Sequence, residues 1–239
     1  MISEEKTDEI VFDRCAKTYK KGLKNTLKVS GFSPNYFHNY KVKELFNYLK
    51  NNNFERKPIK ILDFGCGVGC SEPYLSHYLP KAKIYACDIS DESIKCAVSS
   101  NKRNNTTFAT FEDDSLPFEE KFDVIFVANV FHHIPRKKQQ SVINLLKASL
   151  NDNGFIIIFE HNPYNPLTDL LALLTDYRYD KNTNLLSPLY MKKILKNSGF
   201  KNFECNYRIF FPGFLRMFVP FEKYLRKCPF GAHYFYIAS

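Results

Sequence analysis

The chain has no apolar run near the ~18 residues that a membrane-spanning helix needs. Its first residues, Met1-Ile2-Ser3-Glu4-Glu5, are acidic and lack an apolar segment, so no secretion signal is expected. Seven cysteines are present, an odd number, and none form a C-x-x-C pair. Cys66 and Cys70 are four apart, and Cys87 and Cys96 fall in separate elements. This spacing argues against a disulfide framework and against a metal site, and free thiols point to a cytoplasmic setting. No internal repeat or low-complexity linker is found. What remains is an ordinary soluble composition, 44% hydrophobic and 25% charged over 239 residues, enough for one domain with a full core.

The net charge of +9 is unevenly spread. Residues 186–239 carry nine Lys/Arg against two Asp/Glu, and residues 1–57 carry twelve against seven. The centre, 58–185, carries thirteen against sixteen. Basic flanks on a slightly acidic centre suit an anionic substrate, a membrane surface or nucleic acid, or are simply solvated.

The central motif is Ile61-Leu62-Asp63-Phe64-Gly65-Cys66-Gly67-Val68-Gly69. A short buried strand, from Pro58 to Leu62, leads into an acid and three alternating glycines. Ser71-Glu72-Pro73 then reads as a helix start with Ser71 as N-cap. Glycines on a strand-to-helix turn let backbone approach a ligand beside outward helix N–H groups. A dinucleotide loop needs G-x-G-x-x-G, and Cys70 stands where its third glycine belongs. Asp63 suits a ligand that carries an ammonium group.

Further along, Ala82 to Cys87 reads as a strand ending in Asp88, with Ile89 next. An acid at a strand end ~20 residues past the glycine loop suits a ribose diol; the alternative is an N-cap for the helix Asp91–Ser100. Thr106–Thr110 is a third strand, followed by Phe111-Glu112-Asp113-Asp114-Ser115-Leu116-Pro117-Phe118. Phe122–Ala128 is a fourth, followed by Asn129-Val130-Phe131-His132-His133-Ile134 and a helix over 136–150. Asn153-Gly154 turns into a fifth strand, Phe155–Phe159, which ends at Glu160-His161-Asn162-Pro163-Tyr164-Asn165-Pro166. Ahead of the core, helical spacing runs from Ile10 through Tyr19. It breaks at Gly31–Asn35 around Pro34 and resumes over Tyr36–Leu49. Leu167–Thr175 and 188–198 read as helices, and Phe203–Phe211 and His233–Ala238 as the last two strands. Between those strands, Phe214, Phe218, Phe221 and Leu225 would share one helical face, with Arg216, Lys223 and Lys227 opposite. That basic amphipathic pattern over 212–227 suits a membrane interface, a greasy substrate, or packing on the domain.

Four segments, 61–69, 82–88, 111–118 and 122–134, resemble class I S-adenosylmethionine-dependent methyltransferases in order and spacing. The resemblance implies an α/β fold: a Rossmann-like, seven-stranded, mostly parallel sheet with helices on both faces and a C-terminal antiparallel strand. It implies one domain over 1–239, with a helical N-terminal cap at 1–55, a cofactor-binding core at 56–160 and a substrate-side part at 161–239. The implied cofactor is S-adenosyl-L-methionine, leaving as S-adenosyl-L-homocysteine. The cofactor set is Tyr19, Asp63, Gly65, Cys66, Gly67, Gly69, Asp88, Ile89, Glu112, Asp113, Asp114 and Asn129. Of the three acids at 112–114, alignment on Leu116-Pro117-Phe118 favours Glu112 for the adenine. His132, His133, Glu160 and His161 are the catalytic candidates, since imidazole titrates near neutrality. The chain lacks the N-P-P-[YF] segment of adenine-N6 enzymes after the fourth strand, and only a reversed Cys228-Pro229 stands for a Pro-Cys nucleophile. Nucleic acid is therefore disfavoured, and a small-molecule or lipid-like acceptor, methylated on oxygen or carbon, is expected. A nicotinamide-dependent oxidoreductase and a non-catalytic, membrane-peripheral adaptor are the rival readings.

Overall fold

The computed structural model describes residues 31–52, 54, 58–101, 103–112, 115–165 and 185–239. The readings at Tyr19, Asp113, Asp114, the 1–30 part of the cap and the helix at 167–175 lie outside these residues.

Helix α1 (Pro34–Asn51) precedes the sheet. Ser33 is extended and its hydroxyl accepts from the Tyr36 N–H, so Pro34 opens the helix where its missing N–H costs nothing. The expected break at Gly31–Asn35 thus ends at Ser33. The core then alternates: β1 (Lys60–Phe64), α2 (Glu72–Tyr78), β2 (Lys83–Asp88), α3 (Asp91–Ser100), β3 (Thr106–Thr110), β4 (Phe122–Ala128), α4 (Arg136–Ala148) and β5 (Leu150–His161). The C-terminal part adds α5 (Pro188–Asn197), β6 (Phe203–Arg208), α6 (Glu222–Leu225) and β7 (His233–Ala238). The seven strands lie in the order β3-β2-β1-β4-β5-β7-β6. Neighbours are parallel except at β7, which runs antiparallel to both β5 and β6.

Burial explains the composition of the strands. β4 and β5 sit mid-sheet and are covered on both faces, so Val124–Val127 and Phe155–Phe159 are continuous apolar runs. One face packs Ile61, Phe126, Ile157, Phe159 and Phe235 under Val42, Leu45 and Leu49 of α1. The other packs Leu62, Ile125, Val127, Ile158 and Tyr234 under Ile143 and Leu146 of α4 and Met191, Ile194 and Leu195 of α5.

Several boundaries differ from the sequence reading. β5 begins at Leu150, before Asn153-Gly154, because Leu150 pairs with Phe122 ahead of a register shift; α4 accordingly stops at Ala148. β6 ends at Arg208, three residues early, because Ile209 takes a positive φ of 63° that breaks the ladder. Residues Gly213–Phe221 form 3₁₀ turns, not an α-helix, and α6 starts at Glu222.

Glu44 binds α1 to the far edge of the sheet. It accepts from Arg208 Nε (2.8 Å) and Nη2 (3.0 Å), and from Arg226 Nη2 (3.2 Å). The Glu44 and Arg208 side chains are both mostly buried, and removing one partner leaves the other charge uncompensated. Glu44→Ala is expected to cost about 3–5 kcal/mol, read as a lower urea midpoint with an unchanged slope.

Candidate active site

The strand order reverses between β1 and β4, and ligands bind in such sheets at the carboxyl ends beside that reversal. The glycine loop lies there. Gly65, Gly67 and Gly69 all have positive φ, at 75°, 55° and 76°, yet they serve different ends. A Cβ at Gly65 would strike Val130 at 2.5 Å, and one at Gly69 would strike the Asn101 amide at 2.4 Å. Both are packing glycines. A Cβ at Gly67 would meet nothing within 4 Å, so Gly67 alone turns its bare face to open space.

Asp88 fixes this loop from β2. Its Oδ2 accepts from the Gly67 N–H at 2.8 Å and its Oδ1 from the Ser90 N–H at 3.0 Å. The helix cap is Ser90, whose hydroxyl accepts from Ser93 N, so Asp88 is not the N-cap. A carboxylate at this strand end is the acceptor type that a vicinal diol requires. Ile89 is exposed at the same strand end. Glu112 is also exposed, and the Phe111 ring before it packs, tilted by 32°, at 5.1 Å from Phe64 of β1. Phe111 stands where the resembling family has glycine, and here it packs. The Cys66 thiol is pushed up by burial and by nearby acids.

Asp63 ends up beside an acid that the sequence offered only as helix punctuation. Glu72 is fully buried, as is Asp63, and the two carboxyl groups lie within reach of each other, with backbone N–H groups of the Ser71–Glu72 turn beside Glu72. Burial and the facing charge hold the Asp63 carboxyl well above its usual range. Glu72 is raised by burial to about 7. Ser71, expected to cap α2, makes no cap bond; its hydroxyl meets His38 Nδ1 at 3.4 Å.

The second cluster joins β4, β5 and β7. Glu160 accepts from Phe131 N–H (2.8 Å), Val130 N–H (3.2 Å) and His132 Nδ1 (2.5 Å). Burial alone would raise its carboxyl, but His132 and these donors hold it below the usual value. Asn129 takes a positive φ of 60°, a conformation asparagine tolerates, and its amide lies 3.4 Å from His161 Nε2. Its Oδ1 is buried with no partner among the described residues. The His132 ring lies 4.1 Å from His133 and 5.5 Å from His161, and His161 lies 4.7 Å from His233. Tyr40 of α1 bonds His233 Nδ1 at 2.6 Å. Burial and neighbouring positive charge depress His133 and His161 to about 3, and His233 well below the ordinary value. Lys41, 3% exposed, completes the cluster from α1. Burial lowers it to about 8, while Glu160 and Asp63 partly hold it up. Glu72, Lys41 and His233 were missed in the sequence because none belongs to a motif. Lys41 and Glu72 sit in helices with many other polar residues, so only His233, at the head of an apolar strand, carried any sequence signal.

A glycine loop at the β1–α2 turn, an acid closing β2 and a polar cluster at the ends of β4 and β5 define a class I methyltransferase. A methyltransferase-domain family model matches residues 36–204, and the chain belongs to that family. It is 28% identical over 151 residues to a malonyl-[acyl-carrier protein] O-methyltransferase of Bacillus cereus, spanning 62% of this chain and 55% of that relative's length. The fold is shared with a methyltransferase from Thermotoga maritima described as a possible histamine N-methyltransferase. That likeness has a TM-score of 0.66 at 14% identity and covers 95% of this chain and 97% of the other. It is also shared with magnesium protoporphyrin IX methyltransferase from Synechocystis, at a TM-score of 0.59 and 17% identity, over 90% and 85%.

Membership makes S-adenosylmethionine the cofactor, and the residues present fit it. The open face at Gly67 admits a ligand, Asp88 suits its ribose, and the paired buried acids Asp63 and Glu72 suit its ammonium group. Gly67→Val strains the loop backbone at φ 55° although its methyls enter open space, so it is expected to fold with a lowered thermal midpoint and to lose S-adenosylmethionine binding in calorimetry. A variant that bound normally would place the cofactor elsewhere. An acid raised to about 7 is neutral below that pH and anionic above it. Cofactor affinity is therefore expected to rise severalfold from about pH 6 to 7.5, and Glu72→Gln is expected to flatten that rise.

Proposed function

We propose that the chain moves the methyl group of S-adenosylmethionine to an oxygen of a small-molecule or lipid-like acceptor bound over the ends of β4, β5 and β7. The cofactor supplies an activated methyl, so the protein mainly has to align the nucleophile and exclude water. The observation that carries the reading is the 2.5 Å contact between Glu160 Oε2 and His132 Nδ1. An ionised carboxylate accepts, so Nδ1 carries a proton, and in the neutral ring the lone pair is left on Nε2. That tautomer is the one able to take a proton from an acceptor hydroxyl. Glu160 then acts as the positioning residue, and its two backbone donors fix it against β4.

The surrounding imidazoles fit a lining role better than a basic one. His133 and His161, near 3, stay neutral at physiological pH and accept protons poorly. Lys41 adds one positive charge to the chamber, suited to an oxyanion forming as the proton leaves. The O-methyltransferase name of the Bacillus cereus relative supports oxygen as the methylated atom. The dyad does not extend to a nucleic-acid acceptor, and neither sequence signature for one is present.

The test is S-adenosylhomocysteine release with a panel of hydroxylated and carboxylated acceptors, with the product read by mass spectrometry. An O-methyl product is expected, and Glu160→Gln should lower kcat by about 10²-fold or more and shift the acidic limb of its pH profile, with cofactor KM unchanged. Full activity in both Glu160→Gln and His132→Ala would remove the dyad from the reaction.

A further inference from the structure

Among the described residues, ten large apolar side chains are exposed, and six of them lie between Phe214 and Phe230. Phe214 is 82% exposed, Met217 73% and Tyr224 75%, with Phe218, Phe221 and Phe230 beside them in sequence. The basic residues Arg216, Lys223 and Lys227 are exposed among them. The 3₁₀ geometry changes the expected pattern. Leu225 is partly covered, while Met217, Tyr224 and Phe230 add to the exposed set.

The surface is firmly mounted. Ile209 stands at a positive φ of 63°, a strained conformation for a β-branched residue. Glu222 is buried and accepts from the N–H groups of Ile209 (3.2 Å), Phe210 (2.8 Å) and Phe211 (3.4 Å), bracing that bend. On the other side, the Asn162 side-chain amide donates to the Pro229 and Gly231 carbonyls at 2.8 and 2.7 Å, and that of Asn165 to Phe230 at 2.6 Å. The segment after Glu160-His161 thus bolts the aromatic surface directly beside the reaction chamber.

Charge selects the occupant. Glu222 is buried under its three donors, and Glu204 is taken up by Lys227 at 3.6 Å, so Arg216 and Lys223 are the exposed charges left among the apolar side chains. Aromatic and methionine side chains interspersed with exposed cations match the boundary between anionic headgroups and acyl chains. We propose that the 214–230 surface docks on an anionic lipid bilayer, holding the chamber against the membrane. No helix among the described residues is long and apolar enough to cross one, so the contact is peripheral. It involves no step of methyl transfer, and its failure would leave the methyltransferase reading intact.

The experiment is flotation of the full chain with phosphatidylcholine vesicles, with and without about 30% phosphatidylglycerol. Binding to the anionic vesicles is expected, with loss of most of it at about 0.5 M salt. Phe214→Ser/Met217→Ser/Tyr224→Ser and Arg216→Gln/Lys223→Gln should each weaken it about tenfold or more, with cofactor affinity and thermal midpoint unchanged. Absence of wild-type flotation, or equal flotation of the apolar variant, overturns the proposal. Sedimentation velocity supplies the remaining arm: a wild-type dimer that the apolar variant dissociates, without flotation, assigns the face to a second copy and overturns it too.

Discussion

The Glu160 carboxylate is the constraint on which the site depends. It is buried at the end of a central strand, where an unpartnered charge would be costly. Three donors resolve that cost, and all come from the turn after β4. The same bonds lock the Val130–His132 backbone, set the His132 tautomer, and place Val130 against the bare Cα of Gly65. One ionised group therefore couples the glycine loop to the polar cluster at the ends of β4 and β5.

The surrounding electrostatics follow from burial. Asp63 and Glu72 are crowded acids, His133, His161 and His233 are crowded bases, and each set is driven toward its neutral form. Lys41 lies between them, lowered by burial and supported by two acids. Such a chamber is poised for a ligand that brings its own charges. The lid over it is α1, bound to the sheet edge by Glu44 and to β7 by Tyr40.

The C-terminal part extends the same logic outward. Asn162 and Asn165 follow β5 directly, yet their amides serve carbonyls more than sixty residues away. Their polarity reads in the sequence as a functional loop, and their task is to hold the neighbouring aromatic surface in place.

The sequence by itself determined the strand count, the order of elements and the loop chemistry, because these rest on local signals. β3, β4 and β7 were legible to the residue, since apolar runs between turn signals mark buried strands. Asp63, the glycines and Asp88 were legible because turn geometry and ligand approach demand those residue types at fixed spacing. Only the tertiary structure decided which glycine faces open space, that Glu72 joins Asp63, and that Glu160 belongs to His132. It also brought Lys41 and His233, 192 positions apart, into one chamber. Those pairings depend on which side of each strand and helix faces the crevice. They arise from packing between distant segments, for which a single sequence carries no local signal. The 3₁₀ course of Gly213–Phe221 was hidden for a related reason: its apolar spacing suits a helix, and the bend at Ile209, braced by Glu222, dictates another path.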